Sequence, residues 1–375
     1  MVLFVTMLWT PLFAFISFLL RRPYSTSIST IDCLQQPNAK SLETVVDCLD
    51  KYTVPAEYYN EESYTLSQPN PTELATFTDL VLSLLYVDGN CTSLDVPDPL
   101  SQHFRISLLS EDEAKNQSFC VLHEHTSQND AYVKGWGFMA VPASRTSGTD
   151  LNVHFSAPHP AYDLDTPQQA AALFARARGR SLLITGRSRL ALRNSTSCVH
   201  PSSNKTTYYV TDPVHDNNEP FHVASKAIYE WQQSQGGCPS ASCAFIQMHG
   251  KGASTCSTDQ MFLSSGLARS ASSVAWYTDD VNRPIKRLKA NLEQVFPSWN
   301  TSMPSDSPCS LTATENIFGR YINGIDASDI CTTGSNATFA TGEFIHIEQA
   351  AVSRAASSYE GWVQALKNTF GTVEA

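Results

Sequence analysis

From about Arg105 to the end of the chain, short apolar runs alternate with longer helix-patterned stretches, and this alternation restricts the fold more than any other feature. The runs are Phe119–His123, Trp136–Val141, Leu151–Ser156, Ser181–Thr185, Tyr208–Thr211, Ala244–His249 and Phe344–Ile347. Between them lie helical stretches at Pro167–Arg178, His222–Gln233 and Pro284–Phe296, and a long one from about Gln349 to Phe370. Strands that alternate with helices imply an α/β fold, a mixed, mostly parallel sheet with helices on both faces. We assign residues 101–375 to this domain. Residues 25–100 are more polar and punctuated by Pro, with helices expected near Ser41–Tyr52 and Pro71–Leu85, the second opened by Asn70 as N-cap. They read as a small N-terminal helical extension tied down by Cys33 and Cys48.

The best-marked helix start is Thr166-Pro167-Gln168-Gln169, with Thr in the N-cap position and Gln at the capping-box position. It places the loop Ala157–Asp165 between a strand and a helix. Ligands in open α/β sheets bind beyond the carboxyl ends of strands. His159 and Asp163 occupy that position, four residues apart, with Asp165 competing for the acidic role. His249 ends another apolar run, followed by Gly250-Lys251-Gly252, and Glu348 ends a third. A catalytic zinc takes three N or O ligands and keeps a position open for water, whose proton a nearby carboxylate accepts.

Other residues carry weaker signals. His346 shares a strand face with Glu348 through the two-residue period and so borders the same place. Asp212 and His215 follow a strand and either support a ligand histidine or hold substrate, or Asp212-Pro213 only starts a turn. His123 and His125 form an H-x-H, read as structural. Arg320 and Asn323, on a helix expected after Thr314-Glu315, either bind a substrate carboxylate or, the favoured reading, form a solvated helix face. Ser188 has no G-x-S-x-G elbow around it and no Gly-rich phosphate loop follows a strand, so serine hydrolases and phosphate-loop enzymes drop out.

The motifs Gly135-Trp136-Gly137, Pro158-His159-Pro160 with Asp163 and Thr166, Gly186-Arg187-Ser188-Arg189, Asp212-Pro213-Val214-His215 and Gln247-Met248-His249-Gly250 follow one another in order. Over roughly residues 105–350 the chain thereby resembles poly-γ-glutamate hydrolase-like and N-formylglutamate amidohydrolase-like proteins of the zinc-carboxypeptidase-like group. The resemblance implies a carboxypeptidase-like fold and amide hydrolysis with one Zn2+ per chain. It makes His159, Asp163 and His249 the metal ligands, Glu348 the general base and then acid, and Arg189 a clamp for carboxylate or oxyanion. Two departures stand out: Ser188 replaces the histidine expected before Arg189, and the acidic ligand is Asp where carboxypeptidases use Glu.

Composition limits the setting. A net charge of −11 with Lys and Arg dispersed excludes a basic field for nucleic acid. The expected partner is a small peptide or amino-acid-derived substrate. Residues 1–24, with an uncharged apolar run Val2–Leu20 before Arg21-Arg22, read as a signal peptide or signal anchor, the only expected membrane contact. A retained anchor would leave the rest cytosolic. Ten cysteines, with close neighbours Cys33/Cys48, Cys243/Cys256 and Cys309/Cys331, argue instead for the secretory pathway. So do six glycosylation sequons at Asn90, Asn116, Asn194, Asn204, Asn300 and Asn336. The reading is a secreted zinc-dependent hydrolase of amide or peptide bonds, with γ-glutamyl or acyl-amino-acid substrates. Its alternative is a non-catalytic secreted glycoprotein, binding or structural, that keeps the scaffold.

Overall fold

Side chains alternate across a strand, so an apolar run buried on both sides must serve two cores. The central strands do this. In the computed structural model, which describes residues 27–111, 117–145, 150–201 and 206–371, Ala244, Ile246 and Met248 enter one core. Cys243 and Phe245 enter the other. The expectations for residues 1–24, Asn116 and Asn204 lie outside the described residues.

The strands are β1 (Ser29–Thr30), β2 (Phe104–Ser110), β3 (Ser118–Glu124), β4 (Thr126–Gln128), β5 (Ala131–Tyr132), β6 (Phe138–Pro142), β7 (Asn152–Ala157), β8 (Ser181–Ile184), β9 (Cys243–Gly250), β10 (Met261–Ser264), β11 (Thr301–Ser302) and β12 (Phe344–Gln349). Nine of them form one sheet in the order β11-β10-β12-β9-β7-β8-β6-β3-β2, and β1, β4 and β5 form a small second sheet. The centre β12-β9-β7-β8 is parallel, and antiparallel pairings flank it on both sides. The fold class is thus a mixed α/β sheet with a parallel centre. The chain runs from β7 outward to β8, then returns across β7 to β9. That reversal opens a crevice at the carboxyl ends of these strands.

The helices are α1 (Leu42–Leu49), α2 (Glu61–Ser67), α3 (Pro71–Leu85), α4 (Thr166–Ala177), α5 (Pro220–Ser234), α6 (Ala271–Thr278), α7 (Pro284–Val295), α8 (Ile317–Ile322), α9 (Ala351–Arg354) and α10 (Tyr359–Phe370). On one face α1, α4, α10 and α7 pack in sequence, and on the other α3, α5 and α8. The apolar faces of α1 and α3 join opposite cores. Each fully buried Leu or Val of α1 contributes about 1.5–3 kcal/mol of transfer free energy. Asn70 caps α3 through Thr72 N and Glu73 N, as expected.

Several local expectations are corrected. Asp165, not Thr166, is the N-cap residue of α4, at φ 66° and with no side-chain cap. The Thr166 hydroxyl donates back to Asp163 O at 2.7 Å, and Gln169 Nε2 donates to Gln349 Oε1 and Ser353 O. Tyr208–Thr211 is not a strand; it makes a single bridge, Tyr209 to Ser195. The C-terminal helix is broken between α9 and α10. There the Ser353 carbonyl accepts from Gln169, Ser358 and Trp362. The glycine-containing motifs meet where β6 begins and β8 ends. A Cβ on Gly137 (φ 98°) would lie 2.0 Å from Ile184 O, and one on Gly186 would lie 2.5 Å from Gly137 N. Only glycine allows that approach.

All ten cysteines are paired, as Cys33–Cys48, Cys91–Cys120, Cys198–Cys331, Cys238–Cys243 and Cys256–Cys309. Of the three close neighbours in sequence only Cys33 and Cys48 bond to each other; the other four cysteines take different partners. Five disulfides fit an extracellular or secretory-pathway protein. Among the described residues no helix is long and apolar enough to cross a membrane. The Cys198–Cys331 bridge spans 133 residues, whereas Cys238–Cys243 spans 5. Loop-closure entropy then predicts that replacing the first pair by Ser costs about 5 kcal/mol of unfolding free energy, and the second about 2 kcal/mol. Denaturant titration of the two double variants checks that order.

Candidate metal centre

The chain leaves β7 at Ala157 and turns at once. Asp163 N donates to His159 O at 2.8 Å, Thr166 N to Asp163 O at 3.2 Å, and Ala161 takes φ 59°. This turn sets the His159 and Asp163 side chains side by side. On β9, the strand period puts His249 on the face of Phe245 and Gln247, at the last turn-out before Gly250. His159 Nδ1 and His249 Nδ1 then lie 3.2 Å and 3.1 Å from one and the same atom, Asp163 Oδ2. All three residues are buried, with ligand atoms within 4.8 Å of one another. The outer nitrogens are engaged: His159 Nε2 with Asp212 Oδ1 at 3.1 Å, and His249 Nε2 with Gln247 Oε1 at 3.0 Å.

This donor set fits zinc. Two imidazole nitrogens, each backed by a hydrogen-bond partner on the far side of its ring, and a carboxylate oxygen form a borderline-soft N2O set with space beside it for further ligands. The space is a cleft of about 710 Å³ lined by His159, Asp163, Arg189, His249, His346 and Glu348, with Tyr162, Tyr208, Lys251 and Glu315 further out. Its walls are stapled by Cys198–Cys331 and Cys256–Cys309.

Glu348 faces His249 directly across the β12–β9 pairing. Its carboxylate, a nitrogen of His346 and one of His249 also lie within 4.8 Å of one another. Desolvation first, and the neighbouring Asp163 charge second, push the Glu348 carboxyl up to about 8, against the pull of His159, Arg189 and Lys251. His346 Nε2 is 3.5 Å from Glu348 Oε1 and its ring lies 4.3 Å from that of His249. Behind His159, Asp212 is fully buried and touches His159, Arg189 and His215. Burial opposes its charge, but Arg189, His215 and His159 hold its carboxyl well below the usual range. The His215 ring stacks on Tyr208, whose hydroxyl donates to Glu315.

His159 carries the pH dependence. Burial and Arg189 work against its protonated form, yet the Asp212 and Asp163 carboxylates outweigh them and its pKa is raised above 6.5. A raised histidine stabilises the metal-free fold at pH below 6.5, and that contribution is lost as pH rises through the folded value. A cation must displace that proton. Zinc affinity is therefore expected to climb with pH until the raised folded value of His159 is passed, with release of close to one proton below it, measurable by chelator competition in buffers of different ionisation heat.

The site residues expected from sequence divide as follows. His159, Asp163, His249 and Glu348 come together, with Arg189, Asp212, His215 and His346 around them. Asp165 is exposed and outside the cluster. Arg320 and Asn323 are buried rather than solvated: Arg320 donates to Thr314 O, Ile330 O and Cys331 O, and Asn323 to Ser265 O. His123 is a buried partner of Ser107 and the Glu124 carbonyl. Asn90, Asn194, Asn300 and Asn336 are exposed. Sequence reasoning passed over Gln247 and Asn316 as bonded partners, and Lys251, Tyr162 and Glu315 as cleft walls; only the glycines around Lys251 hinted at a loop there.

No family model matches the chain, and no curated protein matches it. Among solved structures it is similar to succinylglutamate desuccinylase from Vibrio parahaemolyticus, at 11% identity over 72% of this chain and 78% of that one, with a TM-score of 0.33. It is also similar to a metallo-carboxypeptidase from Burkholderia cenocepacia, at 10% identity over 80% and 68%, with a TM-score of 0.30. Similarity at this level adds nothing to the geometry above, which stands on its own.

Proposed function

We propose that this protein is a secreted zinc-dependent hydrolase of amide or peptide bonds, acting on acyl-amino-acid or γ-glutamyl substrates. The observation that carries the reading is the convergence of His159 Nδ1 and His249 Nδ1 on Asp163 Oδ2, with the Glu348 carboxylate beside them at the open side. The ordered motifs, which resemble those of poly-γ-glutamate hydrolase-like proteins, support the substrate class, and the five disulfides support secretion. His159, Asp163 and His249 would hold Zn2+. A bound zinc supplies polarisation of a carbonyl and a lowered water pKa.

The rest is done by the chain's own groups. Glu348 takes a proton from the attacking water at its carboxylate and returns it to the leaving nitrogen. Arg189, held by Asp212 on one side and lying over Tyr162 on the other, places a guanidinium where negative charge gathers on the carbonyl oxygen. Because the Asp163 charge helps to raise Glu348, a cation held by His159, Asp163 and His249 would lower it, and the Glu348 carboxyl is expected to ionise below 8 in the loaded protein.

The test is to incubate zinc-reconstituted protein with N-acyl amino acids, C-terminal dipeptides and γ-glutamyl peptides, following release of free amine. Chelator-sensitive hydrolysis of at least one class is expected. A panel without turnover, from protein that holds its zinc, would favour the non-catalytic glycoprotein instead.

A further inference from the structure

The two ligand histidines are supported differently. His159 backs onto a carboxylate, which only accepts. His249 backs onto an amide, which presents an acceptor on one arm and a donor on the other. The arm that Gln247 turns toward His249 therefore decides which imidazole nitrogen carries the proton.

That choice is traceable to a backbone N–H. Gly319 N donates to Asn316 Oδ1 at 2.9 Å, at the N-cap of α8. Asn316 Oδ1 is thereby an acceptor, which leaves its Nδ2 a donor, 2.6 Å from Gln247 Oε1. Gln247 Oε1 must then accept, and it is 3.0 Å from His249 Nε2, so that nitrogen holds the proton. Nδ1 is left with its lone pair toward Asp163. Gln247, His249 and Asn316 are 1%, 3% and 3% exposed, so water does not relax the chain of donors. The sequence places Asn316 69 residues from Gln247, in a segment otherwise concerned with starting a helix.

We infer that Gln247 and Asn316 are positioning residues that hold His249 in the tautomer with Nδ1 open, and so set the affinity of the centre for its cation. The inference rests on the zinc reading above. Its sharpest consequence concerns Asn316→Asp. Asp caps a helix as well as Asn does, so α8 and the fold are kept, but the side chain no longer has a donor. Gln247 then turns its Nε2 inward to serve both neighbours, the His249 proton moves to Nδ1, and the ligand position is blocked. Zinc affinity is expected to fall by about 10–100-fold, although the added negative charge by itself would strengthen cation binding. Gln247→Glu keeps an acceptor in the same place and is expected to bind zinc at least as tightly as the parent. Gln247→Met removes the acceptor and is expected to weaken binding.

The experiment is a chelator-competition titration of zinc on the parent protein and the three variants, with thermal unfolding to confirm the fold. The visible spectrum of the Co2+-substituted forms reports the ligand set independently of activity. Weaker zinc and an altered Co2+ spectrum in Asn316→Asp, with both near parental in Gln247→Glu, is the expected result. Asn316→Asp binding as tightly as the parent, or Gln247→Glu losing as much as Asn316→Asp, overturns the inference. A parent protein that takes up no zinc overturns the proposed function itself, and is told apart because no variant comparison then arises.

Discussion

Glu348→Gln is expected to lower kcat/KM by about 10²–10⁴-fold while the protein keeps its zinc. The substitution is nearly isosteric and removes only the capacity to take and return a proton. None of the three inner donor atoms belongs to Glu348, so metal content should stay at the parental level. Because burial raises the Glu348 carboxyl, its replacement by a neutral amide also relieves an unfavourable charge, and thermal stability is expected to hold or rise slightly at pH above 8. The acidic limb of the pH–rate profile should disappear with the carboxylate. The decisive pair of readings is kcat/KM against zinc content, both on the same preparation. Parental turnover in a zinc-loaded Glu348→Gln would remove Glu348 from the mechanism.

Asp212→Ala is expected to act on two groups at once. Asp212 Oδ1 holds the Nε2 side of His159, and Oδ2 holds Arg189 and His215. Loss of the carboxylate behind a ligand histidine weakens zinc by about 10–100-fold. At saturating zinc a further defect in kcat of about 10²–10³-fold is expected, because Arg189 loses the partner that aims it at the developing charge. The two parts separate when activity is followed as zinc is titrated: the midpoint reports His159 and the plateau reports Arg189. A variant with parental midpoint and parental plateau would show that Asp212 only starts the turn at Pro213.

The parts of this architecture that were legible in sequence are those written in periodicity and residue type. The two-sided apolar runs of β7, β8, β9 and β12 announce a sheet covered on both faces, and groups placed just beyond such runs fall on one edge of it. His159, Asp163, His249 and Glu348 were found for that reason. What was not legible depends on contacts across the chain. Tyr208, Tyr209 and Val210 look like a strand, but Tyr208 spends its apolar surface stacking on His215 in the cleft wall. The last helix has good periodicity throughout, yet the Ser353 carbonyl binds Gln169, Ser358 and Trp362 instead of continuing the helical ladder. Cys243 lies 13 residues before Cys256 but bonds to Cys238, because a pairing follows distance in the fold and not in sequence. The acceptor role of Gln247 is likewise invisible until Asn316 and Gly319 are seen beside it.

The proposed hydrolysis requires a cation held by His159, Asp163 and His249, so zinc content is the most direct test. Metal-free protein equilibrated with zinc and freed of excess should hold about one zinc per chain, as a single N2O site requires, and His249→Ala should hold none while keeping its fold. Zinc near zero in correctly folded parent protein, or zinc undiminished in His249→Ala, would contradict the account.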